Sequence, residues 1–281
     1  MAHKLATIAV IGLTASAVCI GAAAAIGGKD FGDGLEDFSW FDGKPRCEAL
    51  PGATAAVRDL DWDGSDHVGL SLLAPTTYTP GPGDKLHAAG DPQVLAHLRV
   101  RSGTIELDCG GWRSRTRDIA ITLPGREFRK YALNGGGDLA LNNLNQAEVS
   151  IAIGGAGKVR ANGKLETIHL VIGGSGDMYL DQITARQATA AIAGSGTIRA
   201  KGTIDDITIG IGGSGRADFG AVKSNKAEVH IGGHGDVDIA PSERAKIEIG
   251  GSGDVTLHSN PKELETHIGG SGQIHRAASA T

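Results

Sequence analysis

From residue 138 onward, apolar and polar positions alternate in short runs that stop and restart about every nineteen residues. Val149, Ile151 and Ile153 bracket Ser150 and Ala152, and in the next run Val159 and Ala161 bracket Arg160. Alternation with period two predicts strands that bury one face. A glycine phrase separates the runs. It reads Gly-Gly-Ser-Gly at Gly173, Gly174, Ser175, Gly176; at Gly212, Gly213, Ser214, Gly215; at Gly250, Gly251, Ser252, Gly253; and at Gly269, Gly270, Ser271, Gly272. Variants stand at Gly154, Gly155, Ala156, Gly157; at Ala193, Gly194, Ser195, Gly196; and at Gly232, Gly233, His234, Gly235. Residues 134–137 make an earlier copy. Self-similarity at such a period is the signature of a solenoid.

Aligning the copies on the phrase gives the expected buried columns. Ile153, Ile172, Ile192, Ile211, Ile231, Ile249 and Ile268 precede it; Leu139, Val159, Met178, Ile198, Ala217, Val237, Val255 and Ile274 follow it. A third, weaker apolar position is expected at Leu144, Leu165, Ile183, Ile204 and Val222. The glycines between the strands are expected to turn the chain with positive φ. One copy cannot bury its own inward face, so copies stack, with equivalent residues ~4.8 Å apart on neighbouring coils. With right-handed parallel connections preferred, the fold class predicted is all-β, a right-handed parallel β-helix with a repeat of 19–20 residues.

The earlier chain divides by composition. Residues 1–25 carry His3 and Lys4, an apolar run and Ala22 to Ala25, which predicts a secretory signal peptide. The rival reading is an uncleaved membrane anchor, since the apolar stretch is long enough to span; Cys19 follows Val18, a poor residue before a lipidated cysteine. Residues 26–46 hold Phe31, Phe38, Trp40 and Phe41 in a chain only 4% aromatic. They are expected to be flexible or to cap the open apolar end of the solenoid, with an exposed docking segment as the alternative. Residues 47–281 are read as one β-helix domain, with irregular first coils over 47–133 and regular repeats over 134–276. In those first coils, strands are expected at 68–72, 94–101, 104–108 and 119–123, around a turn-rich loop at 79–84. Cys47 and Cys109 suggest a disulfide in an exported chain, closing a loop worth ~4 kcal/mol, or else two buried thiols. No Cys-x-x-Cys spacing is present to suggest redox or zinc chemistry through sulfur.

Several stretches occur in a characteristic order: 57–60 (Val-Arg-Asp-Leu), 85–91 (Lys-Leu-His-Ala-Ala-Gly-Asp), 98–107 (Leu-Arg-Val-Arg-Ser-Gly-Thr-Ile-Glu-Leu), 119–124 (Ile-Ala-Ile-Thr-Leu-Pro) and then the Gly-Gly-x-Gly array. Together they resemble the bacterial family of autotransporter adhesin head domains, the head GIN domain, over roughly residues 55–274. The resemblance implies an exported β-helical protein from a family without an established activity, and it carries over no catalytic residues. An autotransporter would continue into a barrel of alternating ~10-residue strands. Residues 276–281 show no such pattern, so a barrel is not expected. Thr266 and Arg276 replace aliphatics at inward positions, which is expected to blunt the last coil against end-to-end pairing.

Candidate chemistry must sit on outward columns. Directly after the phrase come Asp138, Lys158, Asp177, Thr197, Arg216, Asp236, Asp254 and Gln273. Calcium-binding β-rolls use Gly-Gly-x-Gly-x-Asp at a nine-residue period, with the carboxylate one place later. Lys158 and Arg216 in this column favour an ion-pair ladder instead. Asp218, Asp236, Asp238 and Asp254, beside Arg199 and Arg216, form an acidic patch that could supply the paired carboxylates of a lyase or hydrolase. A near-neutral, water-exposed strand face is the plainer reading. The column two residues before the phrase, Val171, Ala191, Gly210, His230, Glu248 and His267, is expected to face outward. His230, Glu248 and His267 could ligate zinc, with His234 nearby, but the two histidines sit ~9.6 Å apart and zinc needs ligands converging near ~2.1 Å. A surface ladder is favoured.

A net charge of −5 and a pI near 6.0 argue against a nucleic-acid partner. Residue 177, an aspartate, stands where a nucleophile elbow needs glycine. The glycines join strand to strand, so no P-loop or dinucleotide fingerprint fits. The sequence therefore predicts an exported, non-enzymatic β-helix of the cell envelope: a binding, adhesion or structural surface for polysaccharide or an envelope protein, needing no cofactor. The alternative is a polysaccharide-processing enzyme acting through the acidic patch. Walls for such a cleft would have to come from the segment 76–92.

Overall fold

A computed structural model describes residues 56–111 and 113–277. The signal-peptide reading, the aromatic segment 26–46 and Cys47 lie outside the described residues. The chain is almost entirely β, and its stacked coils form a β-solenoid of about eight turns.

Eight short strands open it: β1 (Val57–Asp61), β2 (His67–Leu70), β3 (Thr76–Tyr78), β4 (Lys85–Gly90), β5 (Leu98–Arg101), β6 (Thr104–Leu107), β7 (Ile119–Thr122) and β8 (Lys130–Leu133). β1 with β4, β4 with β7 and β5 with β6 pair antiparallel, whereas β2–β8 and β3–β7 already run parallel. β9 (Asp138–Ile153), β10 (Lys158–Ile172), β11 (Asp177–Ile192), β12 (Thr197–Ile211) and β13 (Arg216–Ile231) are each one long, bent strand filling a coil from one glycine phrase to the next. Beyond them the coil splits into β14 (Asp236–Ile239) with β15 (Pro241–Ile249), then β16 (Val255–Leu257) with β17 (Glu263–Ile268), and β18 (Ile274–Arg276). All pairings from β9 onward are parallel.

The two aliphatic columns that flank the glycine phrase stack in register: Ile153, Ile172, Ile192 and Ile211 on one side, and Leu139, Val159, Met178 and Ile198 on the other. All eight are buried. Each added coil therefore covers the apolar face of the one before it, which is what closes the core.

The glycines act differently from the turn role expected of them. None in the phrase has φ in the left-handed region. Their constraint is the neighbouring coil: a Cβ on Gly174 would lie 2.2 Å from the Gly155 carbonyl oxygen, and one on Gly213 2.1 Å from that of Gly194. The last glycine of the phrase is equally confined, since a Cβ on Gly215 would lie 2.4 Å from the Ile192 side chain. The first position is roomy. At Gly173 the nearest atom would be 3.9 Å away, and Ala193 occupies the same place one coil on.

The third apolar position is not a column. Strand starts at 138, 158, 177, 197, 216 and 236 alternate between 20- and 19-residue spacings. The extra residue enters as a bulge at mid-coil, where Asn142 and Asn143 face the single residue Asn162, and Asp181 and Gln182 face Lys201. Register shifts there, so Leu144, Gly163, Ile183, Gly202 and Val222 stack together, while Leu165 and Ile204 align with Ala185. The longer coils turn at Asn143 (φ 54) and Gln182 (φ 56), the shorter ones at Gly163 (φ 140) and Gly202 (φ 132). Asn143 N–H donates to Asn162 Oδ1 at 2.8 Å across the bulge.

The strand expected over 94–101 is instead split. Pro92–His97 is a short helix, α1, with Pro92 in its first turn and Asp91 as its N-cap, accepting from Gln93 N–H at 2.9 Å. Arg58 donates to the carbonyls of Leu95, Ala96 (3.0 Å) and Leu98 (3.3 Å), closing the helix's C-terminal end. Val94 and Leu95 are buried, so their apolar character serves a helix face that the short sequence pattern could not distinguish from a strand.

Candidate binding surface

The acidic patch exists as a surface, and its carboxylates are engaged. Arg199 Nε donates to Asp218 Oδ2 at 2.9 Å, and Gly220 N–H reaches Asp218 Oδ1 at 3.3 Å. The hydrogen bond and charge of Asp218 raise the Arg199 guanidinium further above its ordinary range. Arg216 spans two coils, with Asp238 at 2.5 Å and Asp236 at 3.7 Å. His258 Nε2 lies 2.9 Å from the other oxygen of Asp238. Asp254 accepts from the Gln273 backbone at 2.8 Å and has His275 at 3.8 Å. Arg199, Asp218, Arg216, Asp236 and Asp238 thus come together as an ion-pair ladder along the solenoid axis, whereas Asp254 is held by Gln273 and His275 of the following coil. Asp238, 7% exposed, is its most enclosed member.

The histidine column departs from expectation. Val171, Ala191, Gly210 and His230 are buried, Glu248 is half-buried and only His267 is exposed. Consecutive buried positions mark a strand covered on both faces. His230 is accommodated by two carboxylates, with Nε2 3.1 Å from Glu228 and Nδ1 3.1 Å from Glu248. Lys246 Nζ bridges both carboxylates at 3.0 Å. Burial pushes the Glu228 and Glu248 carboxyls up, but Lys246 and His230 outweigh it and hold both below the ordinary carboxylate range. Both ring nitrogens of His230 face carboxylates. His267 instead lies 4.0 Å from Glu265, and His234 is exposed on the glycine corner. The three proposed ligands do not converge on one point in this arrangement.

Two further features were not singled out from the sequence. His97, Asp108 and Cys109 place ligand-type atoms within 4.8 Å of one another. Asp108 is already held by His97 Nδ1 at 2.8 Å and Arg99 at 2.5 Å, and Cys109 is the residue for which the sequence predicts a disulfide. The cluster therefore reads as an ion-pair group. The second is a shallow open groove of about 330 Å³ at the mid-coil corner, lined by Thr203, Asp205, Lys223, Ser224, Asn225, Ala240 and Ser242. Asn225 reaches Asp205 at 3.4 Å, and the buried Ser224 hydroxyl has no hydrogen-bond partner. Its residues belong to three successive coils, so register, which a linear reading does not supply, is what assembles it. The segment 76–92, expected to wall any cleft, is mostly β3 and β4, with only residues 79–84 between them.

These features define a class: a β-solenoid with a filled aliphatic interior and an outward lattice of paired charges. The chain belongs to the family described as "Putative auto-transporter adhesin, head GIN domain", whose model matches residues 68–261. Solved structures share the fold. A "putative lipid binding protein" from Parabacteroides distasonis is 18% identical, with a TM-score of 0.67, covering 79% of this chain and 96% of that one. A "putative adhesin" from Bacteroides fragilis is 18% identical, with a TM-score of 0.57 and the same coverage. Another, from Parabacteroides merdae, is 13% identical, with a TM-score of 0.66, covering 79% of this chain and 95% of that one. No curated protein matches the sequence.

Proposed function

We propose that the protein is an exported β-solenoid of the cell envelope that works as a non-catalytic binding surface, with polysaccharide as the ligand class to test first and an envelope protein as the second. One observation carries this reading. Every carboxylate of the acidic patch already has a cation or a backbone N–H as partner, on a strand face without walls. Acid–base catalysis by paired carboxylates needs one protonated and one free group converging on a substrate; a ladder of satisfied pairs presents instead a flat, polar, repeating face. The groove beside it adds hydroxyl, amide and charged groups of the kind that hydrogen-bond sugars. Family membership and the adhesin names of its structural neighbours support the same direction. Among the described residues no helix is long and apolar enough to cross a membrane.

The test is a glycan array with polysaccharide pull-down, read for binding and for new reducing ends or unsaturated products. Liposomes serve as a third probe, because one structural neighbour carries a lipid-binding name. Binding without product, weakened by Lys223→Ala with Asn225→Ala, is the expected result. Product formation lost in Asp236→Asn or Asp238→Asn would replace this reading with the enzymatic one.

A further inference from the structure

The C-terminal end of the solenoid leaves β17 with a free edge. Among the described residues β17 pairs only with β15. Along the ladder, the carbonyl of the isoleucine before each glycine phrase accepts a hydrogen bond from the next coil: Ile192 from Gly212, Ile231 from Gly250 and Ile249 from Gly269. The equivalent group on the last coil is Ile268, and by the alternation of a strand the backbone groups of Thr266 and Leu264 point the same way. Those of Glu265 and His267 turn back toward β15. Leu264 and Ile268 are 36% and 46% exposed, and only one other large hydrophobic among the described residues is exposed, Val57. The apolar surface and the unpaired backbone therefore coincide. Thr266 and Arg276 interrupt the aliphatic columns as the sequence predicts, yet they leave this edge uncovered.

The order of side chains on the edge identifies what fits it. From Leu264 to Ile268 the chain reads apolar, carboxylate, hydroxyl, imidazole, apolar (Leu, Glu, Thr, His, Ile), which is complementary to its own reverse, with carboxylate meeting imidazole and apolar meeting apolar. We propose that β17 pairs antiparallel with β17 of a second copy about a two-fold axis through Thr266. In that register Leu264 lies opposite Ile268 of the second copy and Glu265 opposite His267 of the second copy, while Thr266 meets itself. Antiparallel strands alternate between pairs that exchange both backbone hydrogen bonds and pairs that exchange none. The pairs at Leu264, Thr266 and Ile268 are the exchanging ones, which are the residues whose groups face the open end. Such a contact is isologous and closed, so it produces a dimer joined tail to tail rather than a fibre. A carboxylate opposite an imidazole and apolar pairs directly across the strands both favour this register.

The experiment expresses the full-length sequence and purifies the protein as it accumulates, then measures mass by sedimentation equilibrium across concentration. The expected result is a concentration-dependent dimer. Thr266→Pro should give the monomer mass and melt where the parent melts at concentrations low enough for it to be monomeric, because proline is tolerated on an edge whose N–H faces outward. Glu265→Pro, whose N–H points to β15, should lower the melting temperature instead. Leu264→Lys provides a second route to the monomer without altering the backbone. Thr266→Cys should form a covalent dimer on a non-reducing gel that the parent and a Glu263→Cys control do not form. A monomer at every concentration overturns the proposal. So does a dimer that survives both Thr266→Pro and Leu264→Lys, since the contact would then lie on another face.

Discussion

The first coils and the regular ladder enclose the same kind of apolar interior by different means. Between Val57 and Leu133 the strands are three to six residues long, and three of their pairings are antiparallel. Four rings close the interior there. Phe128 is their hub, with ring centroids 5.1 Å from Trp62, 5.6 Å from Tyr78 and 6.0 Å from Tyr131, mostly edge to face. From Asp138 onward the long strands stack the columns beside the glycine phrase in register, and the side chains of the apolar core are isoleucine, leucine, valine and alanine except for Met178 and the single ring of Phe219. A repeating coil has few gaps to fill. An irregular coil leaves gaps of unequal shape, and large rings that pack at many angles fill them.

The comparison can be broken at its most concentrated point first. Phe128→Ala removes the hub and should cost ~4 kcal/mol, read as a shift of the denaturation midpoint, whereas Ile209→Val in the ladder should cost ~1 kcal/mol. If the two were equal, the rings would not be what closes the first coils. Next comes the glycine corner. Gly213→Ala drives a methyl into the Gly194 carbonyl and should cost ~3 kcal/mol; Gly173→Ala, at the roomy first position, should stay within ~0.5 kcal/mol. Thermal unfolding of the pair decides whether coil-to-coil contact or backbone conformation sets the requirement.

A smaller effect is expected from pH at the covered strand face of the ladder. Glu228 and Glu248 are held below the ordinary carboxylate range in the folded protein. They therefore contribute stability above the unfolded value near ~4.3, and that contribution is lost as pH falls through their folded values. A Glu228→Gln, Glu248→Gln variant should melt below the parent at neutral pH, with the difference closing in acid. A gap that widened in acid would reverse the sign and rule out this coupling. Smallest of all is Arg199→Ala, which removes one exposed pair and should leave the melting temperature unchanged within error.

The aliphatic columns beside the glycine phrase were legible because every coil repeats the same residue type at the same offset from a conspicuous marker. The third position was not, because the register shift between Ala161 and Gly163 sets Leu144 against Gly163 rather than Leu165, and a linear reading does not show that shift. The role of the glycines was misassigned for a related reason. A single copy suggests a turn residue, and only the coil below Gly174 shows that the constraint is steric. Pro92–His97 was hidden by its length, since six residues carry too little periodicity to distinguish helix from strand. The charged ladder was visible as columns, but the burial of Val171, Ala191 and His230 was not, because alternation alone says nothing about what covers the outer side of a strand.

The alternation of 20- and 19-residue coils has a genetic consequence. Leu144, Ile183 and Val222 sit in one stack with Gly163 and Gly202 between them, and a Cβ on Gly163 or Gly202 would strike the carbonyl of the coil below at 2.2 or 2.0 Å. Removing one coil would set two long coils, or two short ones, face to face, with bulge against bulge or glycine against glycine. Removing two restores the original neighbours. Across residues 138–235 the heritable unit is therefore a doublet of about 39 residues, and that part of the rod can be trimmed or extended cleanly only in double steps.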